Sequence, residues 1–341
     1  MEKNLICTGF AKAGTTLLHV ALGDSPSFEV PTRRKEIKYF FGDRPSRADY
    51  VGQFTGRSDQ TRVLFEASPQ YMTGSRDDQR RAAYEHMSEL VPDAKFLVCL
   101  RQPTERAFSH YIHNLMHFAR FGTMAFQMKT ERRVVDNPYA RDFEMAFDHE
   151  SNLNVDMAAS LKELIDTFGR ERVKLYFIER DGHDFGTFYR SLCGWLGIPD
   201  DGAYAVGDAP RVHESGGAPV MLYGGSEGRI DRGVRLDKGQ IVVVAHGYTR
   251  VIDDVTEEEA RRMRAASRKW TLHMGASQME SFYEDYQRGT TERLMELVSD
   301  YFPDEKNVPR YDSWEFKGKT VREHSIDVSA IQQVVDSRRG K

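Results

Sequence analysis

Gly9-Phe10-Ala11-Lys12-Ala13-Gly14-Thr15-Thr16 follows the short apolar run Leu5-Ile6-Cys7 and leads into Leu17-Leu18. An apolar run, a loop bounded by two glycines and a helical pattern from Thr15 to Leu22 read as strand, loop and helix. Such a turn is a phosphate cradle, because the backbone N–H groups at the helix start point at the anion and the helix dipole favours negative charge there. An ATP-type loop, G-x-x-x-x-G-K-[ST], carries its lysine directly after the second glycine. Here Thr15 holds that position and the lysine, Lys12, lies inside the loop.

A second strand-to-helix junction lies further along. Residues 95–100 (Lys-Phe-Leu-Val-Cys-Leu) form a buried-strand pattern, followed by Arg101-Gln102-Pro103-Thr104-Glu105-Arg106-Ala107-Phe108-Ser109-His110-Tyr111. Pro103 suits the first turn of a helix, where its missing N–H costs little. Arg106, Ser109, His110 and His113 recur at helical spacings. Arg101 ends the strand and Ser109 stands about two turns on, so an arginine fork and a hydroxyl can reach one phosphate monoester.

Apolar strand patterns occur near 4–8, 63–66, 95–100 and 173–178, with helical patterns near 15–23, 78–91, 104–117 and 156–168. Strands alternating with helices predict an α/β fold, a P-loop-like central parallel sheet flanked by helices. Ligands in such sheets bind at the carboxyl ends of strands. Both junctions begin at such ends, so they are expected to converge on one crevice.

The two junctions, in this order, resemble the 5′-phosphosulfate loop and the 3′-phosphate motif R-x-P-x-x-R-x-x-S-x-Y of sulfotransferases that use PAPS (3′-phosphoadenosine 5′-phosphosulfate). Arg34-Lys35-Glu36-Ile37-Lys38-Tyr39-Phe40-Phe41 is similar to the K-E-x-x-[YF]-F segment of the heparan-type branch. Leu64-Phe65-Glu66-Ala67-Ser68-Pro69-Gln70-Tyr71 is similar to its E-K-[ST]-P-x-Y segment. Residues 173–179, 188–199, Val212-His213-Glu214-Ser215 and 292–316 resemble later parts of the same enzymes, so about two-thirds of the chain is covered and 216–290 is not. Two positions depart from the pattern. Ala67 replaces a lysine that would contact an acidic sugar, and Ile178 stands where many cytosolic relatives have a tyrosine near the adenine.

The resemblance implies PAPS as donor, PAP as product and no required metal. In-line sulfuryl transfer must position the partners, neutralise charge on the leaving phosphate and remove the acceptor's proton. Ala11, Lys12, Ala13, Gly14, Thr15 and Thr16 would bind the 5′-phosphosulfate, with Lys12 neutralising the developing charge. Arg101 and Ser109 would hold the 3′-phosphate. Glu36, which follows Lys12 by 24 residues, is the catalytic base in the branch's motif; flanked by Lys35 and Lys38, its carboxylate stays ionised. Lys35 would assist at the sulfuryl group or the acceptor, and Glu66 is read as organising loops. Tyr286-Gln287-Arg288-Gly289-Thr290 is the candidate lid over the adenine, with Arg288 as its cation. The acceptor is expected to be a hydroxyl or amine of a saccharide or small molecule. The competing readings are a P-loop nucleotide-dependent phosphotransferase, against which the absence of a lysine at position 15 argues, and a non-catalytic PAP-binding protein.

Bulk properties agree with an ordinary globular chain. The 341 residues are 40% hydrophobic and 29% charged, with a formal net charge of −4, so no global attraction to nucleic acid is expected. Cys7, Cys99 and Cys193 each lie in an apolar segment, which reads as three buried thiols in a reducing compartment. No signal peptide precedes the first strand and no apolar run approaches about 18 residues, so no membrane association is expected and the localisation reads as cytoplasmic.

The expected organisation is one domain over 1–325, with an inserted subdomain at about 216–290 and a polar tail at 326–341. Three roles are open to the insertion: covering the acceptor, forming a homodimer contact, or elaborating the fold. Within it, Gln240–Ala245 reads as a strand, and Thr256 with Glu259 as a capping box opening a helix that runs to about residue 275. Phe118, Phe121, Met124, Phe126 and Met128 form an apolar, loop-like stretch that lines an acceptor pocket or packs on the core.

Overall fold

The apolar runs become parallel strands because the sequence between them is helical and too long for a hairpin return. The structure, a computed structural model, describes residues 2–43, 45–121, 143–149, 152–210, 220–224, 230–237, 240–245, 248–252, 256, 258, 268–317 and 319–325. Strands β1 (Lys3–Gly9), β2 (Phe28–Glu29), β3 (Val63–Ala67), β4 (Lys95–Leu100) and β5 (Val173–Phe177) form one sheet in the order β2-β3-β1-β4-β5. Every pairing in it is parallel. Leu5, Ile6, Cys7, Phe65, Leu97, Val98 and Leu175 are fully buried, as expected for a sheet covered on both faces.

The helices are α1 (Thr15–Gly23), α2 (Arg47–Val51), α3 (Asp77–Leu90), α4 (Pro103–Phe121), α5 (Phe143–His149), α6 (Met157–Phe168), α7 (Ile178–Asp181), α8 (Phe185–Leu196), α9 (Ala276–Phe282) and α10 (Arg288–Tyr301). Local chemistry starts them. The Asp156 carboxylate accepts from the Ala159 N–H at 3.0 Å to open α6, and Asp184 accepts from the Thr187 N–H at 3.1 Å to open α8. In α6, Leu161, Leu164, Ile165 and Phe168 repeat at helical spacing and bury against the sheet's core.

The chain divides into two compact units: Met1–Ala107, Asn154–His213 and Asp285–Trp314 in one, and Phe108–Leu153, Glu214–Glu284 and Glu315–Lys341 in the other. The first contains the parallel sheet. The second contains an antiparallel meander of β6 (Val220–Gly224), β7 (Ile230–Asp237), β8 (Gln240–Ala245) and β9 (Tyr248–Ile252), and an antiparallel pair of β10 (Arg268–Met274) with β11 (Lys319–Ser325). Its middle segment overlaps the stretch read from the sequence as an insertion.

Strand β8 coincides with the predicted strand. The helix predicted to run from Thr256 to about 275 does not reach that far, because residues 268–274 are strand β10. Trp270, Leu272 and Met274 alternate with polar residues there, and a partner strand about fifty residues on completes the ladder. Glu259 of the capping box, residues 122–128, Val212–Ser215 and the tail at 326–341 lie outside the described residues. Among the described residues no helix is long and apolar enough to cross a membrane, and Cys7, Cys99 and Cys193 are free and buried.

Candidate active site

The carboxyl end of β1 must turn sharply out of a fully buried core, and the residues there are built for it. Gly14 is the N-cap of α1 at φ 101°, where a Cβ would also lie 3.0 Å from the Tyr176 ring. It offers no side chain to cap the helix, which leaves the first-turn amides available to an anion. The loop is tied down at three points. The Phe10 N–H donates to the Cys99 carbonyl at 2.9 Å, the Ala13 N–H to the Phe10 carbonyl at 3.2 Å, and the Ala11 N–H to the Thr73 hydroxyl at 3.0 Å. Lys12 adopts a left-handed φ of 68°, a conformation non-glycine residues rarely take. Burial pushes its ammonium below its ordinary value, Arg101 and Lys35 push it further, and Glu36 opposes them. A cation held among cations in a part-buried place gains by an incoming anion. Thr15 is buried and Thr16 exposed.

Arg101 ties the second junction to the first. Its Nη1 donates to the Lys12 carbonyl at 3.1 Å, and its Nη2 lies 3.5 Å from Glu105 Oε2. Burial lowers its pKa, partly offset by Glu179 and Tyr311. Glu179 in turn accepts from the Gln102 N–H at 2.9 Å and the Tyr311 hydroxyl at 2.7 Å, so the closing segment of this unit braces the β4–α4 turn. Arg106 is 1% exposed, and burial together with Arg101 pushes its guanidinium down to about 9. Ser109 is half-buried on α4 in the second unit, so it and Arg101 are described in separate units.

Arg288 is the first residue of α10 and lies 3.7 Å from Glu292. The candidate lid, Tyr286–Thr290, is helical throughout, from a π-helical turn at Tyr283–Gln287 into α10.

Glu36 is held on both oxygens. Lys35 Nζ lies 2.8 Å from Oε1, and Gln70 Nε2 donates to Oε2 at 2.5 Å. Lys35 also reaches the Thr15 hydroxyl, at 3.5 Å, and so links the Glu36 carboxylate to the start of α1. Burial pushes the Glu36 carboxyl up, but Lys35, the Gln70 amide and Lys38 together outweigh it and hold the group below its ordinary value. The aromatics of the 34–41 segment anchor this loop: Phe40 packs on Tyr50 and Phe41 on Tyr71, each at 4.9 Å between ring centroids. Sequence reasoning did not single out His19, one turn into α1. Burial and Lys35, opposed by Glu36, push its imidazole down to about 4, so it is neutral at neutral pH.

Glu66, at the end of β3, is fully buried. The Ser68 and Tyr71 hydroxyls each donate to its Oε1 at 2.8 Å. The Ser68 hydroxyl accepts from the Lys38 N–H at 3.0 Å and the Tyr71 hydroxyl from the Phe40 N–H at 3.1 Å. Gln70, Thr73, Glu179 and Tyr311 were also not singled out, because each acts on a residue distant in sequence; the quoted segments 64–71, 173–179 and 292–316 contain three of them. Among the described residues no group of three or more His, Cys, Asp or Glu is placed to hold a metal ion.

No protein-family model matches the chain. It is similar to the bifunctional heparan sulfate N-deacetylase/N-sulfotransferase 2 of Bos taurus, 33% identical over 119 residues, which are 33% of this chain and 13% of that protein. The bifunctional heparan sulfate N-deacetylase/N-sulfotransferase 1 of Caenorhabditis briggsae is 29% identical over 120 residues, with the same coverage of 33% and 13%. About a third of the chain is thus similar to a part of these bifunctional N-deacetylase/N-sulfotransferases. It matches only 13% of the length of those curated relatives. Among solved structures, a sulfotransferase from Alicyclobacillus acidocaldarius aligns with 25% identity and a TM-score of 0.44, over 63% of this chain and 87% of that one. The mouse sulfotransferase SULT7A1 complexed with PAP aligns with 14% identity and a TM-score of 0.34, over 59% of each chain.

Proposed function

We propose that this chain is a sulfotransferase that takes PAPS as donor and sulfates a hydroxyl or amine of a saccharide or small-molecule acceptor. The observation that carries the reading is the meeting of Lys12, Lys35 and Arg101 around a phosphate-type helix start, with the paired carboxylate Glu36 beside them. The residues fit the donor. Uncapped amides at Gly14–Thr16 and cations weakened by burial suit a 5′-phosphosulfate, and the Arg101 fork suits a 3′-phosphate, to which the sequence motif adds the Ser109 hydroxyl. PAPS supplies the sulfuryl group.

This chain's residues supply position and charge. The amides of Lys12, Gly14, Thr15 and Thr16 and the hydroxyls of Thr15 and Thr16 orient the donor, on a loop that Ala11 and Ala13 tie down through their own N–H groups. Glu36 accepts the acceptor's proton as the acceptor's oxygen or nitrogen bonds to sulfur. Lys12 neutralises the charge that grows on the phosphate oxygen as the sulfur–oxygen bond breaks. Lys35 can move between the Glu36 carboxylate and the sulfuryl oxygens, and its contacts to both Glu36 and Thr15 support this. The transferred group carries less charge than a phosphoryl group, so lysine and arginine suffice for these steps. Arg288, at the start of α10, is the proposed cation of the adenine lid.

Calorimetric titration tests the reading. PAP is expected to bind far more tightly than ATP, and Arg101→Ala to remove most of that preference. Incubation with labelled PAPS and an acceptor panel should then transfer label, and Glu36→Gln should abolish transfer while PAP still binds. Preference for ATP would place the chain with phosphotransferases, and PAP binding with no transfer to any acceptor would make it a binding protein.

A further inference from the structure

Two hydrogen-bonded relays converge on one buried oxygen. One runs from the Lys38 N–H to the Ser68 hydroxyl and on to Glu66 Oε1; the other runs from the Phe40 N–H to the Tyr71 hydroxyl and on to the same oxygen. A hydroxyl has one proton to give. Because Ser68 and Tyr71 both spend theirs on Glu66, their lone pairs face the amides of the 36–41 loop. An acceptor at position 66 therefore sets the direction of both relays. Lys38, the first residue they grip, has a left-handed φ of 51° and needs such a restraint. Gln70 lies between Ser68 and Tyr71 in the same turn and holds Glu36 Oε2.

We propose that Glu66 is a positioning residue for Glu36: its ionised carboxylate locks the turn 68–71, which fixes the loop carrying Glu36 at two amides and the Glu36 side chain at one oxygen. The inference rests on the reading of Glu36 as base. Burial is the largest influence on Glu66 and raises its pKa to about 7; Ser68, Tyr71, Tyr50 and the Tyr39 backbone pull against it. Tyr50, on α2, is pushed up by burial and by Glu66, with Arg47 opposing. Among the described residues no lysine or arginine pairs with Glu66. Protonation puts a hydrogen on the carboxyl and replaces two charge-assisted bonds by weaker neutral ones, so the lock loosens as pH falls through neutrality. Glu36 itself titrates well below that.

The test compares wild type with Glu66→Gln, which keeps the shape and one carbonyl acceptor but no charge. Three readouts are taken: kcat and KM between about pH 5.5 and about 9, hydrogen exchange at the amides of Lys38 and Phe40, and PAP affinity. Wild-type kcat is expected to rise with pH through about 7. In Glu66→Gln that rise disappears, kcat falls about tenfold or more at pH 8, both amides exchange about tenfold faster, and PAP affinity is unchanged. Ser68→Ala should reproduce part of this and Ser68→Thr should restore it; the pair also serves if Glu66→Gln does not fold. An unchanged kcat profile with unchanged exchange at Lys38 and Phe40 overturns the proposal. Wild type that binds no PAP overturns the donor assignment instead, and the exchange measurement on the two amides still reads whether Glu66 holds the loop.

Discussion

The loop after β1 and the turn after β3 leave neighbouring strands of one sheet, yet their electrostatics are opposite. The loop at 9–16 brings Lys12, Lys35 and Arg101 together, with Glu36 paired to Lys35 and Glu105 within 3.5 Å of Arg101, and burial lowers the pKa of Lys12 and Arg101. The turn at 66–71 surrounds a buried carboxylate with hydroxyls, and burial raises its pKa. The first region is short of anions and gains when one arrives. In the second, the buried carboxylate is held on one oxygen by two hydroxyl donors. Glu36 sits between them. It takes its ionised state from the lysines on one side and its orientation from Gln70 on the other. A carboxylate can thus be kept charged and still be aimed by a network that carries no cation.

The sharpest way to break this contrast is Lys12→Ala. Losing one transition-state donor is expected to cut kcat by roughly 10²–10³-fold, and full activity in a sulfuryl-transfer assay would remove Lys12 from the chemistry.

Glu66→Gln tests the other side through stability. The folded value of Glu66, about 7, lies above its ordinary 4.5. Between those values the folded state binds the proton that the unfolded state has released, so wild-type stability falls as pH rises across that window and is flat beyond it. The glutamine variant lacks this slope. Urea unfolding at pH 5 and pH 8 should show it gaining on wild type by up to the order of 3 kcal/mol. Glu36→Gln should remove a slope of the opposite sign. The folded value of Glu36 is lowered, so its contribution is present above the ordinary carboxylate value and lost as pH falls through the folded one.

Gly14→Ala forces a left-handed alanine against the Tyr176 ring and is expected to cost roughly 1–3 kcal/mol in thermal unfolding, with weaker PAP binding. The smallest effect joins the two regions. Thr73→Val removes the acceptor of the Ala11 N–H, and a loss of about 1 kcal/mol should appear in PAP affinity rather than in kcat.

The strands β1, β3, β4 and β5 were legible because buried parallel strands are continuous apolar runs, and both junctions were legible because glycine, lysine, proline and arginine stand at fixed offsets from those runs. Strand β2 has two residues and no local signature. Strand β10 stands where the sequence pattern predicts a helix, because its pairing with β11 lies far along the chain. Lys12, Lys35, Glu36 and Arg101 could be named from their motifs, whereas Gln70, His19, Glu179 and Tyr311 could not, since each matters through a partner many residues away.

The amino-acid order alone determined which segments turn out of the sheet and which carry a phosphate-type loop, because those are short-range matters of backbone conformation and apolar pattern. The flanking Lys35 and Lys38 already mark Glu36 as ionised, whereas only the tertiary structure decided that Gln70 holds its second oxygen and that Glu66 is pushed towards neutrality. The charge state of Glu66 depends on its depth from water, and that depth is set by the packing of the whole sheet rather than by its neighbours in the chain.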